Sequence, residues 1–371
     1  MDKEEKYLYL EGIIEHDKPI KELLAYTENK FISKKKNGSI EIDLSIDTWG
    51  LYSKEAKQTG VYETLKKYLI QLQFPIQKGI SKTENYINCT LKGKKNLLAS
   101  NIVLNSPESI ELMIYENPLV GKIPVIIIPD DEDFTFFISA LSNKNEPLNL
   151  PKSMGAAFIN GINNWDRIER LKSKWLKNNL NGNWNLEFRN NILPKPNLYK
   201  DRVIILSTKP YSGVNFELLG LSKSDWKEKS LQIRLLHECS HLFTLKNYGC
   251  MANNIHDEII ADYAGIIDVL SFFNKNWLLS FFGLENYPKY RKGGRLENYL
   301  DQNEMSEIAF NGLKTIIKMT ADNIYKFDST LGEVNSARDQ IKRIESICEV
   351  DLITMSSSKG AEELLNKYHT K

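Results

Sequence analysis

Two histidines four residues apart, with a glutamate directly after the first, stand at His237-Glu238-Cys239-Ser240-His241. Side chains at i and i+4 of a helix face the same way, so a helix here presents both imidazoles together. Neutral imidazole nitrogens suit Zn²⁺, which prefers a tetrahedral set of N, S and O ligands. Glu238 is placed to take a proton from a zinc-activated water as it attacks a carbonyl. Leu235, Leu236, Leu242 and Phe243 flank the pair, and no proline or glycine interrupts it, as expected of a helix lining a buried cleft. With five histidines in the chain the pattern can also arise by chance, and two solvent-facing histidines on a helix are the competing reading.

A catalytic zinc ion takes a third protein ligand and keeps one position open for water. The next helical stretch supplies Glu258 and Asp262, again four apart and on one face. With Glu258 on the metal, Asp262 can reach the rear nitrogen of a ligand histidine and fix its tautomer. His256 is the main rival for third ligand, ahead of the shorter Asp262. A solvated face is the plain alternative for both carboxylates, and Ile259, Ile260 and Ala261 between them argue against it.

The combination His237-Glu238-x-x-His241 with Glu258-x-x-x-Asp262 resembles the gluzincin group of zinc metallopeptidases, the thermolysin-like pattern of two histidines and one glutamate. The likeness covers about residues 222–270. It implies zinc ligands at His237, His241 and Glu258, a general base at Glu238, outer support from Asp262, and a zincin-like fold. No third histidine follows in metzincin spacing, which disfavours that branch.

A peptidase also needs a donor for the oxyanion. Members of the group use a His or Tyr, but the only histidine well downstream is His369. Tyr290, Arg291 and Arg295, beside Gly293-Gly294, are the candidates, and Tyr290 and Arg295 are taken as catalytic. An ordinary basic surface turn is the alternative. Tyr211 lies in the turn before the metal helix, and residues 202–207 read as a core strand or as an edge strand able to bind substrate backbone. The group Asn163-Asn164-Trp165-Asp166-Arg167 reads as a helix with Trp165 inward and its polar residues solvated. Cys239 reads as a small buried residue, and Lys34-Lys35-Lys36 as a solvated turn.

The elements that must position these residues are mixed in type. Residues 39–46, 110–115, 123–128 and 202–207 have strand patterning, and 61–72 has helical spacing. Asp130 and Asp131 can cap a helix ending near Leu141. A long helix is expected over 154–178, weakened by Gly155 and Gly161, with irregular chain over 181–200. From Ser222 the chain reads as helical: 222–246, a turn at Gly249, an antiparallel return over 255–273, then 303–326, 332–347 and 359–368. The polar stretch 142–153, with two prolines, is the best boundary. The expected fold is therefore α+β: a mixed α/β module over 1–150 for substrate or partner recognition, then a mainly helical zincin-like catalytic domain over 151–371.

Lys and Arg number 49 against 48 Asp and Glu, so no overall field recruits nucleic acid or an anionic membrane. The apolar runs are too short to span a bilayer. The opening Met-Asp-Lys-Glu-Glu-Lys lacks a secretory pattern, and four scattered cysteines show no pairing. A cytoplasmic zinc metallopeptidase acting on a peptide or protein is expected. The alternatives are hydrolysis of a non-peptide amide, or a partner-binding or regulatory protein with a structural or vestigial metal site.

Overall fold

A computed structural model describes residues 1–31, 44–94, 102–151, 153–300 and 305–371. The chain is of the α+β class, and its described residues are mostly helical with one four-stranded sheet. It divides into two compact units, neither of them continuous in sequence. One comprises Met1–Ser39, Pro151–Gly155 and Lys209–Lys371; the other comprises Ile40–Leu150 and Ala156–Thr208. A single cut near residue 150 therefore does not separate them, and the reason lies in the strand pairing.

In the sheet-bearing unit, strands β1 (Glu111–Asn117), β2 (Gly121–Ile127), β3 (Ala156–Asn163) and β4 (Lys200–Leu206) lie in the order β1-β2-β4-β3. β4 runs parallel to β2 and antiparallel to β3, which ties residues beyond 155 to those before 130. Val125, Ile126, Val203, Ile204, Ile205 and Leu206 are all fully buried, the near-continuous apolar pattern of strands covered on both faces. β4 is thus central. Ile204–Leu206 pair with a strand on each side, so they offer no free edge for the β-addition that residues 202–207 could have made.

The helix expected over 154–178 begins instead at Trp165–Asn178, and β3 occupies the stretch before it. Pairing with β4 overrides the weak helical signal, with a bulge between Asn160 and Ile162. Asn164 then caps the helix by accepting from the Arg167 N–H. Of the polar residues beside Trp165, Asn164 and Arg167 are buried and not solvated. Asp201 accepts from Trp49 Nε1 at 2.9 Å, Asn164 Nδ2 at 2.7 Å and Arg167 Nη1, a buried network closing one end of the sheet. The helix Asp131–Ser142 is capped by Asp130 as expected. Both the strand expected over 39–46, for the most part, and the turn at Lys34-Lys35-Lys36 lie outside the described residues.

The helical unit is built around Lys223–Tyr248 and Ile255–Leu270. Ser222 caps the first by accepting from Asp225 N–H, and Asn254 caps the second by accepting from Asp257 N–H. Gln232 Nε2 bonds Asp268 at one end and His241 meets Asp257 at the other, so the helices are antiparallel. Gly265 lets them close: a Cβ there would stand 2.9 Å from the Ile233 carbonyl oxygen. Ile259, Ile260, Ala261, Tyr263, Ala264 and Ile266 are fully buried, which makes the second helix a core element. Helix Glu307–Leu331 packs on Leu352–Ser356, Gly360–His369 and the early helix Asp17–Tyr26. Tyr9 donates to the Ser356 carbonyl at 2.9 Å, and Asn29 to that of Cys348 at 3.0 Å. The first 31 residues therefore belong to the unit that carries the histidines. Among the described residues, no helix is long and apolar enough to cross a membrane.

Candidate metal centre

Lys223–Tyr248 contributes His237, Glu238 and His241, and Ile255–Leu270 contributes Glu258. The two Nε2 atoms are 3.1 Å apart. His237 Nε2 is 3.4 Å from Glu258 Oε2, and His241 Nε2 is 3.6 Å from Glu258 Oε1. Ligand atoms about 2.0–2.1 Å from a tetrahedral zinc ion are separated by about 3.3 Å, and these separations are close to that spacing, with a different carboxylate oxygen of Glu258 facing each imidazole. Glu258 Oε2 is buried and has no hydrogen-bond partner, an orphaned acceptor of the kind a cation satisfies. The donor set of two imidazoles and a carboxylate suits zinc or another borderline divalent ion.

Exposure is small but not zero: 5% at His237, 7% at Glu238, 6% at His241 and 3% at Glu258. Burial alone would raise the Glu258 carboxyl and lower both imidazoles. Their mutual attraction wins, holding Glu258 at about 2 and pushing His241 up to about 10, with His237 also raised. For His241 the charges of Asp257, Glu258 and Glu238 supply the lift.

Behind His237 lies a second layer drawn from three segments. Its Nδ1 is 3.0 Å from Asp262 Oδ1 and 2.8 Å from the Tyr211 hydroxyl. Tyr211 donates to Asp262 Oδ1 at 2.6 Å and accepts from Arg295 Nη1 at 2.7 Å. Arg295 Nη2 donates to Asp262 Oδ2. Burial would raise Asp262, and the Arg295 guanidinium more than offsets it, so this carboxyl stays below its ordinary range. Behind His241, Asp257 Oδ2 stands 3.4 Å from Nδ1 and accepts from the Ala252 and Asn253 N–H groups.

Arg234 sits one helical turn before Glu238, 2% exposed, with Nη2 donating to the Pro210 carbonyl. Burial lowers its guanidinium to about 10, against the favourable charges of Tyr211 and Glu238. The Tyr211 ring lies between the two arginines, 5.7 Å from Arg234 and 5.2 Å from Arg295. The Tyr299 phenol is raised by burial and by the Glu258 charge beside it. Its carbonyl accepts from Tyr26, whose hydroxyl oxygen accepts from the first N–H of the second site helix.

The structure thus brings His237, Glu238, His241, Glu258 and Asp262 together and moves three other candidates elsewhere. Arg295 was expected to face substrate; it is 6% exposed and engaged behind His237. Tyr290 donates its hydroxyl to the Gly294 carbonyl at 2.7 Å and packs against Phe310, so a local turn consumes it. His256, the rival ligand, puts Nε2 2.8 Å from the Ile347 carbonyl and its ring against Phe31. Cys239 is fully buried, its thiol pushed up chiefly by that burial. Sequence reasoning missed Asp257, although it adjoins Glu258, and did not place Tyr211 behind His237. Only the Asn254-x-x-Asp257 spacing, which marks the helix start, signals that Asp257 points back along the helix.

No curated protein and no solved structure matches the chain. A family model does match over residues 8–359, nearly the whole length, and on that match the chain belongs to the family of unknown function DUF7005.

Proposed function

We propose that this protein is a zinc-dependent hydrolase, a gluzincin-like metallopeptidase of the cell interior whose helical unit is zincin-like. The observation that carries the reading is the buried group of His237, His241 and Glu258, whose ligand atoms all lie within 4.8 Å of one another, with one Glu258 oxygen 3.4 Å from His237 Nε2 and the other 3.6 Å from His241 Nε2. The charges of the cluster support it. Glu238, Asp257, Glu258 and Asp262 are all buried, against two buried guanidinium groups at Arg234 and Arg295. Counting every carboxylate as ionised leaves two negative charges, which a divalent cation closes. Buried carboxylates left uncompensated are costly, so this excess calls for a bound cation or for protons on His237 and His241.

A bound zinc ion acidifies its water and polarises a carbonyl. Glu238, next to His237 on the same helix and 7% exposed, accepts the proton of the attacking water and returns it to the leaving amide nitrogen. Tyr299, with the Glu258 charge beside it and partly exposed, replaces Tyr290 as the candidate oxyanion donor. Cys89, Cys239, Cys250 and Cys348 form no disulfide with one another, which suits a reducing compartment.

Glu238→Gln tests the assignment. Turnover should fall by at least ~10²–10⁴-fold, the usual share of a general base, while zinc content per chain stays at the wild-type value. A variant that cleaves a peptide library at the wild-type rate removes Glu238 from the mechanism. A wild-type chain with stoichiometric zinc and no open coordination position favours a structural site in a binding protein instead.

A further inference from the structure

The hydrogen bonds behind His237 have a fixed polarity, and Arg295 sets it. A guanidinium has five N–H donors and no acceptor. Arg295 therefore donates at both of its contacts, to the Tyr211 hydroxyl oxygen at 2.7 Å and to Asp262 Oδ2. With its oxygen facing a donor, Tyr211 sends its own hydrogen to Asp262 Oδ1, 2.6 Å away. Asp262 is fully buried and receives a donor on each oxygen. Toward His237 Nδ1 it presents only an acceptor, at 3.0 Å. The Tyr211 oxygen, 2.8 Å from the same nitrogen, has its hydrogen committed elsewhere. Both neighbours of Nδ1 are acceptors, so Nδ1 carries the hydrogen and Nε2 carries the lone pair, directed toward Glu258 and His241.

We infer that Arg295 and Tyr211 are positioning residues that hold His237 in the one tautomer able to bind a cation. This rests on reading His237, His241 and Glu258 as a metal centre. Without Arg295 the polarity is lost. The Tyr211 hydroxyl is then free to donate to Nδ1, which moves the ring hydrogen to Nε2 and blocks the ligand position. His241 has no comparable backing. Its Nδ1 is 3.4 Å from Asp257 Oδ2, and that oxygen already accepts two backbone N–H groups at 2.9 and 3.1 Å. His237 is accordingly the anchored ligand and His241 the adjustable one.

The test is zinc affinity, measured by competition with a chromophoric chelator on the full chain. Wild type is compared with Arg295→Met, Arg295→Lys, Tyr211→Phe and Asp257→Asn, each checked for folding by circular dichroism. Loss of outer-layer partners weakens zinc binding ~10–100-fold, and that loss is expected for Arg295→Met and Tyr211→Phe. Arg295→Lys restores a donor-only charge and should recover part of it. Asp257→Asn should lose less than Arg295→Met. The cobalt(II)-loaded proteins should show a displaced visible band in Arg295→Met and Tyr211→Phe, a signature that loss of general stability does not produce. If Arg295→Met misfolds, Tyr211→Phe decides, since it removes one hydroxyl and no charge. Tight zinc in wild type with unchanged affinity and spectrum in Tyr211→Phe overturns the inference and leaves the metal centre standing. An Asp257→Asn loss as large as that of Arg295→Met overturns the asymmetry. A wild type that takes up no zinc sinks the metal centre itself, and the inference with it.

Discussion

Withdrawing divalent cations should lower the melting temperature of the unit that carries His237, by an amount that grows with pH. At the centre, four buried carboxylates face two buried guanidinium groups, and on the proposed reading a dication would make up the difference. With the cation removed, protons must take its place, and the imidazoles are where they go. Burial disfavours charge on His241, yet Asp257, Glu258 and Glu238 together push it up to about 10. A folded pKa above the ordinary value of ~6.5 has a definite sign. The charged imidazole stabilises the cation-free fold fully below the ordinary value, and that contribution is lost as pH rises toward about 10. A cation needs the neutral imidazole, so it competes with the proton and binds more tightly over the same interval. The cation-loaded and stripped proteins therefore diverge in stability from near neutrality upward. A ligand at 100 to 1,000 times its dissociation constant adds about 2.7–4.1 kcal/mol. At roughly 2–4 °C per kcal/mol for a unit of this size, the melting shift is about 5–16 °C. Calorimetry at pH 6, 7.5 and 9, on chelator-stripped and zinc-reloaded protein, reads it. Equal melting temperatures at all three values, or a shift that shrinks as pH rises, would refute the reasoning.

Gly155→Val should destabilise the helical unit by ~1–3 kcal/mol, because a Cβ there would stand 2.5 Å from Arg234 Nε and 2.7 Å from its Cζ. That guanidinium is buried beside Glu238, so urea unfolding showing wild-type stability would mean that the space is not as tight as described. Asp328→Ala should cost ~3–5 kcal/mol, since its carboxylate accepts from Tyr263 at 2.7 Å, from Arg343 at 2.9 Å and from the Phe273 N–H at 2.7 Å. Arg343 keeps its pair with buried Asp339, Nε 3.0 Å from Oδ1 and Nη2 3.0 Å from Oδ2, so adding Arg343→Met should deepen the loss by leaving that second carboxylate without its guanidinium; a double variant as stable as Asp328→Ala alone would contradict that account.

What was legible in the sequence is what local geometry dictates. His237 and His241 share a face because a helix turns once every 3.6 residues. Glu258 and Asp262 follow on the return helix for the same reason, and apolar neighbours announce that it is buried. Long-range pairing left no such trace. β3 carries a segment, Ala156–Asn163, that reads as the start of a helix until β4 is laid beside it. β4 reads equally well as an edge or a centre, because strand order is a property of the sheet and not of the strand. Arg295 stands 84 residues from Tyr211 and 33 from Asp262, so only the folded chain shows that it faces the back of a histidine and not a substrate. The first 31 residues give no hint that they close the same unit, since their anchors at Ser356 and Cys348 lie more than 300 positions away.

The helix Ile255–Leu270 is where the physical demands meet. Ile259, Ile260, Ala261 and Tyr263 make it one of the most buried elements of its unit, while Asp257, Glu258 and Asp262 put three carboxylates into the same interior. Burial of that kind persists only when each charge has a counterpart. Asp262 has Arg295 and Tyr211, and Asp257 has two backbone N–H groups and His241. Glu258 faces two imidazoles that serve it as donors when Nε2 carries a hydrogen, or as fellow ligands of a shared cation. The protonated arrangement leaves Glu258 Oε2 without a hydrogen bond and sets two positive rings 4.7 Å apart, centre to centre. A shared divalent ion removes both penalties at once. The carboxylate that sequence spacing alone would leave as one of several candidates is therefore the one whose surroundings best suit the proposed metal.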